Sequence, residues 1–144
     1  MKNKILLVGL FCCSLVSTEA QVLLDKNAGK NSFPIVSPAA NVVVCFDGKD
    51  ETVVRKSVTL FADDVRRVTG QDLKTQASNP GDVSARYAII VGTVGKSAWI
   101  NALVAQKKID TTPITGGWER YMIETVDNPA PGIKKAIVVA GSDR

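Results

Sequence analysis

The chain has 144 residues, with 18 Lys or Arg against 14 Asp or Glu, three cysteines and no histidine. The missing histidine excludes Ser-His-Asp and Cys-His nucleophile systems, histidine acid–base chemistry and the commonest zinc ligand. The basic residues come as short pairs with acids between them (Arg66-Arg67, Lys107-Lys108, Lys134-Lys135), not as the basic stripe with interleaved aromatics that nucleic acid requires.

Residues 1–20 read as a signal peptide. Lys2 and Lys4 lead an apolar run of 12 residues from Ile5 to Val16, and Ser17-Thr18-Glu19-Ala20 supplies a small-residue exit with Thr18 and Ala20 at −3 and −1. A transmembrane span needs about 20 apolar residues, so this run is too short to anchor the chain. Phe11 stands before Cys12 where lipoprotein processing wants a small residue. The expectation is export to the periplasm or the exterior, cleavage after Ala20, and no membrane attachment thereafter. What remains is one domain's length. Cys45 is then the sole cysteine, so no internal disulfide forms, and its apolar neighbours Val42–Val44 and Phe46 mark it as a buried, inert thiol.

Residues 21–40 form an extended lead-in, held open by Pro34 and Pro38, with Phe33, Ile35 and Val36 able to pair at a sheet edge. Residues 41–144 hold the domain proper. Asn41 to Phe46 predict a strand ended by Asp47-Gly48. From Glu51 to Thr69, Val54, Val58, Phe61, Val65 and Val68 recur at steps of four and three, one face of a helix. Asp50 suits its N-cap and Gly70 a left-handed C-cap. Leu73 to Gln76 read as a short strand, Asn79-Pro80-Gly81 as a turn, and Arg86 to Val91 as a strand buried on both faces. Ser97 to Gln106 predict a second helix and Asp110 to Gly117 a loop. Tyr121 to Val126 alternate as a strand, Asn128 to Gly132 turn, and Lys135 to Ala140 close with an apolar strand. That order predicts an α/β (α+β) fold, a single mixed β-sheet covered by two main helices on one of its faces.

Gly92-Thr93-Val94-Gly95-Lys96-Ser97 follows a strand and opens a helix, as a phosphate-binding loop does. The position that should hold the first glycine of that motif holds Ile90, so the loop is too short to wrap a phosphate. It reads instead as a strand-to-helix turn in which Ser97 caps the helix and Gly92 or Gly95 takes positive φ. Asp63 and Asp64 point about 100° apart on one helix and read as a solvated or salt-bridged face with Arg66 and Arg67 close by. Asp47, Asp50 and Glu51 are accounted for by turn and cap. No catalytic residue, cofactor or metal site is expected. Trp118, after Gly116-Gly117, is either a sugar-stacking platform or, more commonly, a ring tucked under a loop.

Four segments, taken in order, carry a resemblance: Leu60 to Gly70 (LFADDVRRVTG), Tyr87 to Ser97 (YAIIVGTVGKS), Gly117 to Tyr121 (GWERY) and Ile137 to Arg144 (IVVAGSDR). Together they resemble the N-terminal domain of glycoside hydrolase family 115, the xylan α-glucuronidases. The resemblance implies an accessory domain of a secreted hydrolase that removes glucuronic or 4-O-methylglucuronic acid from glucuronoxylan. It implies that the catalytic carboxylates sit in a (β/α)₈ barrel following Arg144, which would be this domain's partner in the same polypeptide, with polysaccharide as the substrate of the whole. Only Asp143 and Arg144 match the start of the junction into that barrel; with Trp118 they are the candidate substrate contacts. Apolar surface meant for the barrel would leave the isolated domain either marginally stable or self-associating as a homo-oligomer. The competing reading is a free-standing carbohydrate- or protein-binding module with Trp99 or Trp118 at its surface.

Overall fold

The computed structural model of the protein describes residues 32–37 and 40–143. The expected signal peptide, most of the lead-in and Arg144 lie outside the described residues. Five strands, β1 (Val42–Phe46), β2 (Lys74–Ala77), β3 (Tyr87–Thr93), β4 (Tyr121–Ala130) and β5 (Ile133–Gly141), and two helices, α1 (Thr52–Thr69) and α2 (Ala98–Ala105), form one α+β unit. The strands make a single mixed sheet in the order β2-β1-β3-β5-β4. β1 pairs in parallel with β2 and β3, β3 with β5, and only β4 runs antiparallel, against β5.

The helices do not share a face. Val43, Cys45, Ala88, Ile90, Ala136 and Val138 pack with Trp99, Ile100 and Leu103 of α2. Val42, Val44, Phe46 and Ile89 pack with Val54 and Val58 of α1 on the other side. Handedness is the reason. The crossover from β1 through α1 steps one way, to β2, whereas the chain leaving β3 steps the other way, through α2 to the antiparallel edge strand β4 and back by a hairpin into β5 beside β3. Two right-handed crossovers of opposite direction must lie on opposite faces. The connection from β2 to β3 steps back over β1 and accordingly runs on the α2 side, with Val83 and Ala85 in that core.

Local departures from the sequence-based expectations have equally physical causes. Phe33 and Ile35 form no strand; they pack on the α1-side core, Phe33 edge-on to Tyr87 with ring centroids 5.6 Å apart. In α1, Val54, Val58 and Val65 are buried, but of the expected apolar face Phe61 is 37 % and Val68 85 % exposed, the 18-residue helix being longer than the four- and five-residue strands β2 and β1. Gly70 does take the left-handed C-cap, φ 72°, its N–H donating to Arg66 O at 2.8 Å. β4 runs on through Pro129, past a bulge between Asp127 and Ala130 where Asn128 has φ 49°. An edge strand tolerates this because the proline N–H would have faced no neighbour. Trp99 is fully buried, its indole N–H donating to Ser78 O at 2.7 Å.

Candidate functional site

The strand order reverses between β1 and β3, and in open α/β sheets the crevice at the carboxyl ends of two such strands is the usual ligand position. The loops after β1 and β3 meet there. Asp47 accepts from Lys49 N–H at 2.8 Å and, through its other oxygen, from Ala98 N–H at 2.9 Å. Asp50 accepts from Glu51 N–H at 2.7 Å and from Thr93 N–H at 2.8 Å. Lys96 Nζ pairs with Glu51. These three acids therefore join two loops far apart in sequence, where the sequence suggested turn and cap alone. Ser97 occupies the N-cap position of α2 without a side-chain cap bond, and Asp47 serves the first turn instead.

That arrangement decides the fate of the glycine-rich loop. Every backbone N–H from Thr93 to Ala98 already has an acceptor inside the protein. Thr93 N–H donates to Asp50, Val94 N–H to Gly141 O, and Gly95 N–H to Asn101 Oδ1. Lys96 and Ser97 N–H both donate to Thr93 O, and Ala98 N–H to Asp47. Two of these acceptors are carboxylates of the chain, Asp50 for Thr93 N–H and Asp47 for Ala98 N–H. Gly95 takes positive φ, 79°, whereas Gly92 is required by space: a Cβ there would lie 2.4 Å from Ser97 Oγ and 2.9 Å from Ile100 Cγ1.

Trp118 and Asp143 come together at the same end of the sheet, two strands away. Ser142 N–H donates to Arg120 O at 2.8 Å, Arg120 N–H to Ser142 Oγ at 3.1 Å, and Glu119 N–H approaches Asp143 Oδ2 at 3.5 Å. The Arg120 side chain folds back across Gly117, where a Cβ would meet its Cδ at 2.3 Å, and donates to Pro113 O at 3.2 Å. With the loop clamped in this way, Trp118 is turned outward. It is 78 % exposed, not tucked under the loop, and Tyr121 at the start of β4 is 70 % exposed. Arg144, the third expected contact, lies outside the described residues.

The other groups offer little chemistry. Asp63–Arg66 and Asp64–Arg67 are exposed ion pairs at 3.1 and 3.7 Å along α1. Cys45 is fully buried, and burial pushes its thiol up to about 11, which keeps it a protonated, poor nucleophile. Among the described residues no three His, Cys, Asp or Glu side chains are grouped to hold a metal ion, and no helix is long and apolar enough to cross a membrane. Neither a family model nor a curated protein matches this chain.

Proposed function

We propose that this chain is the non-catalytic N-terminal domain of an exported glycoside hydrolase of the xylan α-glucuronidase kind, a domain that supports a catalytic barrel and lends it one wall. The observation that carries this reading is a convergence in space. Three of the four segments on which the resemblance rests, those around Gly92, Trp118 and Asp143, are distant in sequence. They meet at one end of the sheet through Val94 N–H to Gly141 O and Arg120 N–H to Ser142 Oγ. A shared edge of that kind is what an interface or a substrate wall requires. A non-catalytic role is supported by two of the carboxylates at this end. Asp47 and Asp50 are committed to backbone N–H groups, whereas inverting hydrolysis needs two free carboxyl groups about 6.5–9.5 Å apart across a sugar.

The exposure of Trp118 favours a second reading, a free-standing carbohydrate-binding module that stacks a sugar on that ring. Titration of residues 21–144 with glucuronoxylan oligosaccharides separates the two. The supporting-domain reading expects no released glucuronic acid and no change in tryptophan fluorescence. A saturable shift that disappears in Trp118→Phe, with Trp99 left as the internal reporter, favours the module. Release of glucuronic acid by this chain alone refutes both.

A further inference from the structure

We infer that the first half of β4 is a docking edge for a second copy of this chain, which adds its own β4 in antiparallel register centred on Ile123. This stands apart from any role in glycan chemistry. β4 is an outer strand of the sheet, and its two halves differ. From Asp127 to Ala130 a bulge, Pro129 and the positive φ of Asn128 spoil the edge for pairing. From Tyr121 to Val126 none of these devices is present. The exposed side chains there include Tyr121 and Ile123, the latter 52 % exposed.

The hydrogen bonds of the edge are set by the pairing with β5. Ser142 N–H donates to Arg120 O, so Arg120 and Ser142 form a hydrogen-bonded pair of the ladder. In an antiparallel ladder these pairs alternate with pairs that do not exchange bonds. The even residues 120, 122 and 124 therefore bond toward β5, and Tyr121, Ile123 and Thr125 point their N–H and C=O groups outward. A second β4 related by a dyad can meet them only where odd residues face odd residues. Centring on Glu124 satisfies that rule but sets Glu124 against its own copy, a like-charge pair that opposes association. Centring on Met122 shortens the paired stretch. Centring on Ile123 brings Ile123 to Ile123, Tyr121 to Thr125 and Met122 to Glu124. The ladder ends at the two Tyr121–Thr125 pairs, because Glu119 lies outside β4 with φ 51° and is not set in register against Asp127 of the other copy.

The side chains support the same register. Met122 packs with the α2-side core and Val126 is buried in it, so Tyr121 and Ile123 face the α1 side. On that side the core cluster includes no residue of β4 or β5, and Ile137 and Val139, across from Thr125 and Ile123, are only partly buried. Pairing two copies places two such half-covered surfaces edge to edge. A strand-edge contact of about five residues per copy is well below the roughly 20–30 residues a side of a standard interface, so the dimer is expected to be a weak one.

Sedimentation velocity of residues 21–144 from 2 to 200 μM tests the assembly, and cysteine cross-linking tests the register. Cys45 is buried and stays out of the reaction. In the proposed register Ile123→Cys faces its own copy at about 5.5 Å between Cα atoms, within disulfide reach. Thr125→Cys is displaced from its own copy by four residues, about 13 Å. The expected result is a concentration-dependent dimer that oxidises to a covalent dimer at least tenfold faster in Ile123→Cys than in Thr125→Cys. Ile123→Lys, shown by circular dichroism to be folded, should raise the dissociation constant at least tenfold. A monomer throughout the range, equal cross-linking of the two cysteine variants, or a dimer indifferent to folded Ile123→Lys overturns the proposal.

Discussion

Replacing Asp47 with alanine should destabilise the domain by about 2–3 kcal/mol. The side chain is 8 % exposed and accepts two backbone hydrogen bonds, from Lys49 at 2.8 Å and Ala98 at 2.9 Å. Lys49 is exposed, so its N–H regains a bond to water and its loss costs little. Ala98 is the first residue of α2 and half-buried; its N–H is one of the four that a helix start leaves without an intrahelical partner. A hydrogen bond to a charged acceptor contributes about 1.5–3 kcal/mol, and an anion at a helix N-terminus adds about 0.3–1 kcal/mol. Because the same carboxylate ties the loop after β1 to the start of α2, the two contributions are lost together. Asp47→Asn keeps one acceptor oxygen and should lose about half as much. Urea unfolding followed by fluorescence of the buried Trp99 measures both, and a loss of 2–3 kcal/mol should also lower Tm by roughly 10–20 °C. If Asp47→Ala unfolds within 0.5 kcal/mol of the parent, the carboxylate is not the cap of α2 and the two loops are held together by something else.

Gly92→Ala should cost about 1–3 kcal/mol by overpacking, since its Cβ would lie 2.4 Å from Ser97 Oγ and 2.9 Å from Ile100 Cγ1; chemical denaturation at an unchanged m-value checks it, and a neutral result would mean the junction of β3 and α2 is loosely packed. Cys45 should make stability fall in alkali: burial raises its thiol from 9.0 to about 11, so the unfolded chain ionises first. Stability from this group is complete below pH 9 and lost as pH rises toward 11, by up to about 3 kcal/mol. The difference between the parent and Cys45→Ala, measured by urea unfolding at pH 8 and pH 10.5, isolates this from the titration of lysine and tyrosine, and a pH-independent difference would contradict it.

All seven elements were legible in the sequence, although β4 extends to Ala130 where a turn was expected from Asn128, and the best placed of them carried two agreeing signals. β1 combined a β-branched run with Asp47-Gly48 after it, and α1 combined its period with Gly70. The errors fell where a single signal met a tertiary fact. Val68 continues the apolar period of α1, but the sheet beneath it has already ended, so the side chain is left in solvent. Pro129 suggested that the strand must stop, yet β4 lies at an edge where a missing N–H costs nothing. The placement of both helices on one face followed from counting layers; it is the step direction of the crossovers, absent from any local pattern, that puts them on opposite sides.

The junction of β1 and β3 was the least legible part, and the reason is chemical. Asp47, Asp50 and Glu51 each had an adequate local explanation, and a residue whose role is already accounted for raises no question. Their actual partners, Ala98, Thr93 and Lys96, lie more than forty residues on. Composition and spacing cannot register a bond of that span. The glycine-rich loop is too short to wrap a phosphate, and the structure adds an independent obstacle: its amides are filled from within. A chain that spends two carboxylates on that ring of N–H groups has made its crevice a fastening of one loop to another. Among the exposed large side chains, Trp118 and Tyr121 lie at the same end of the sheet as that crevice but at its β4 edge, two strands over. A partner met through them would therefore approach beside the crevice and not within it.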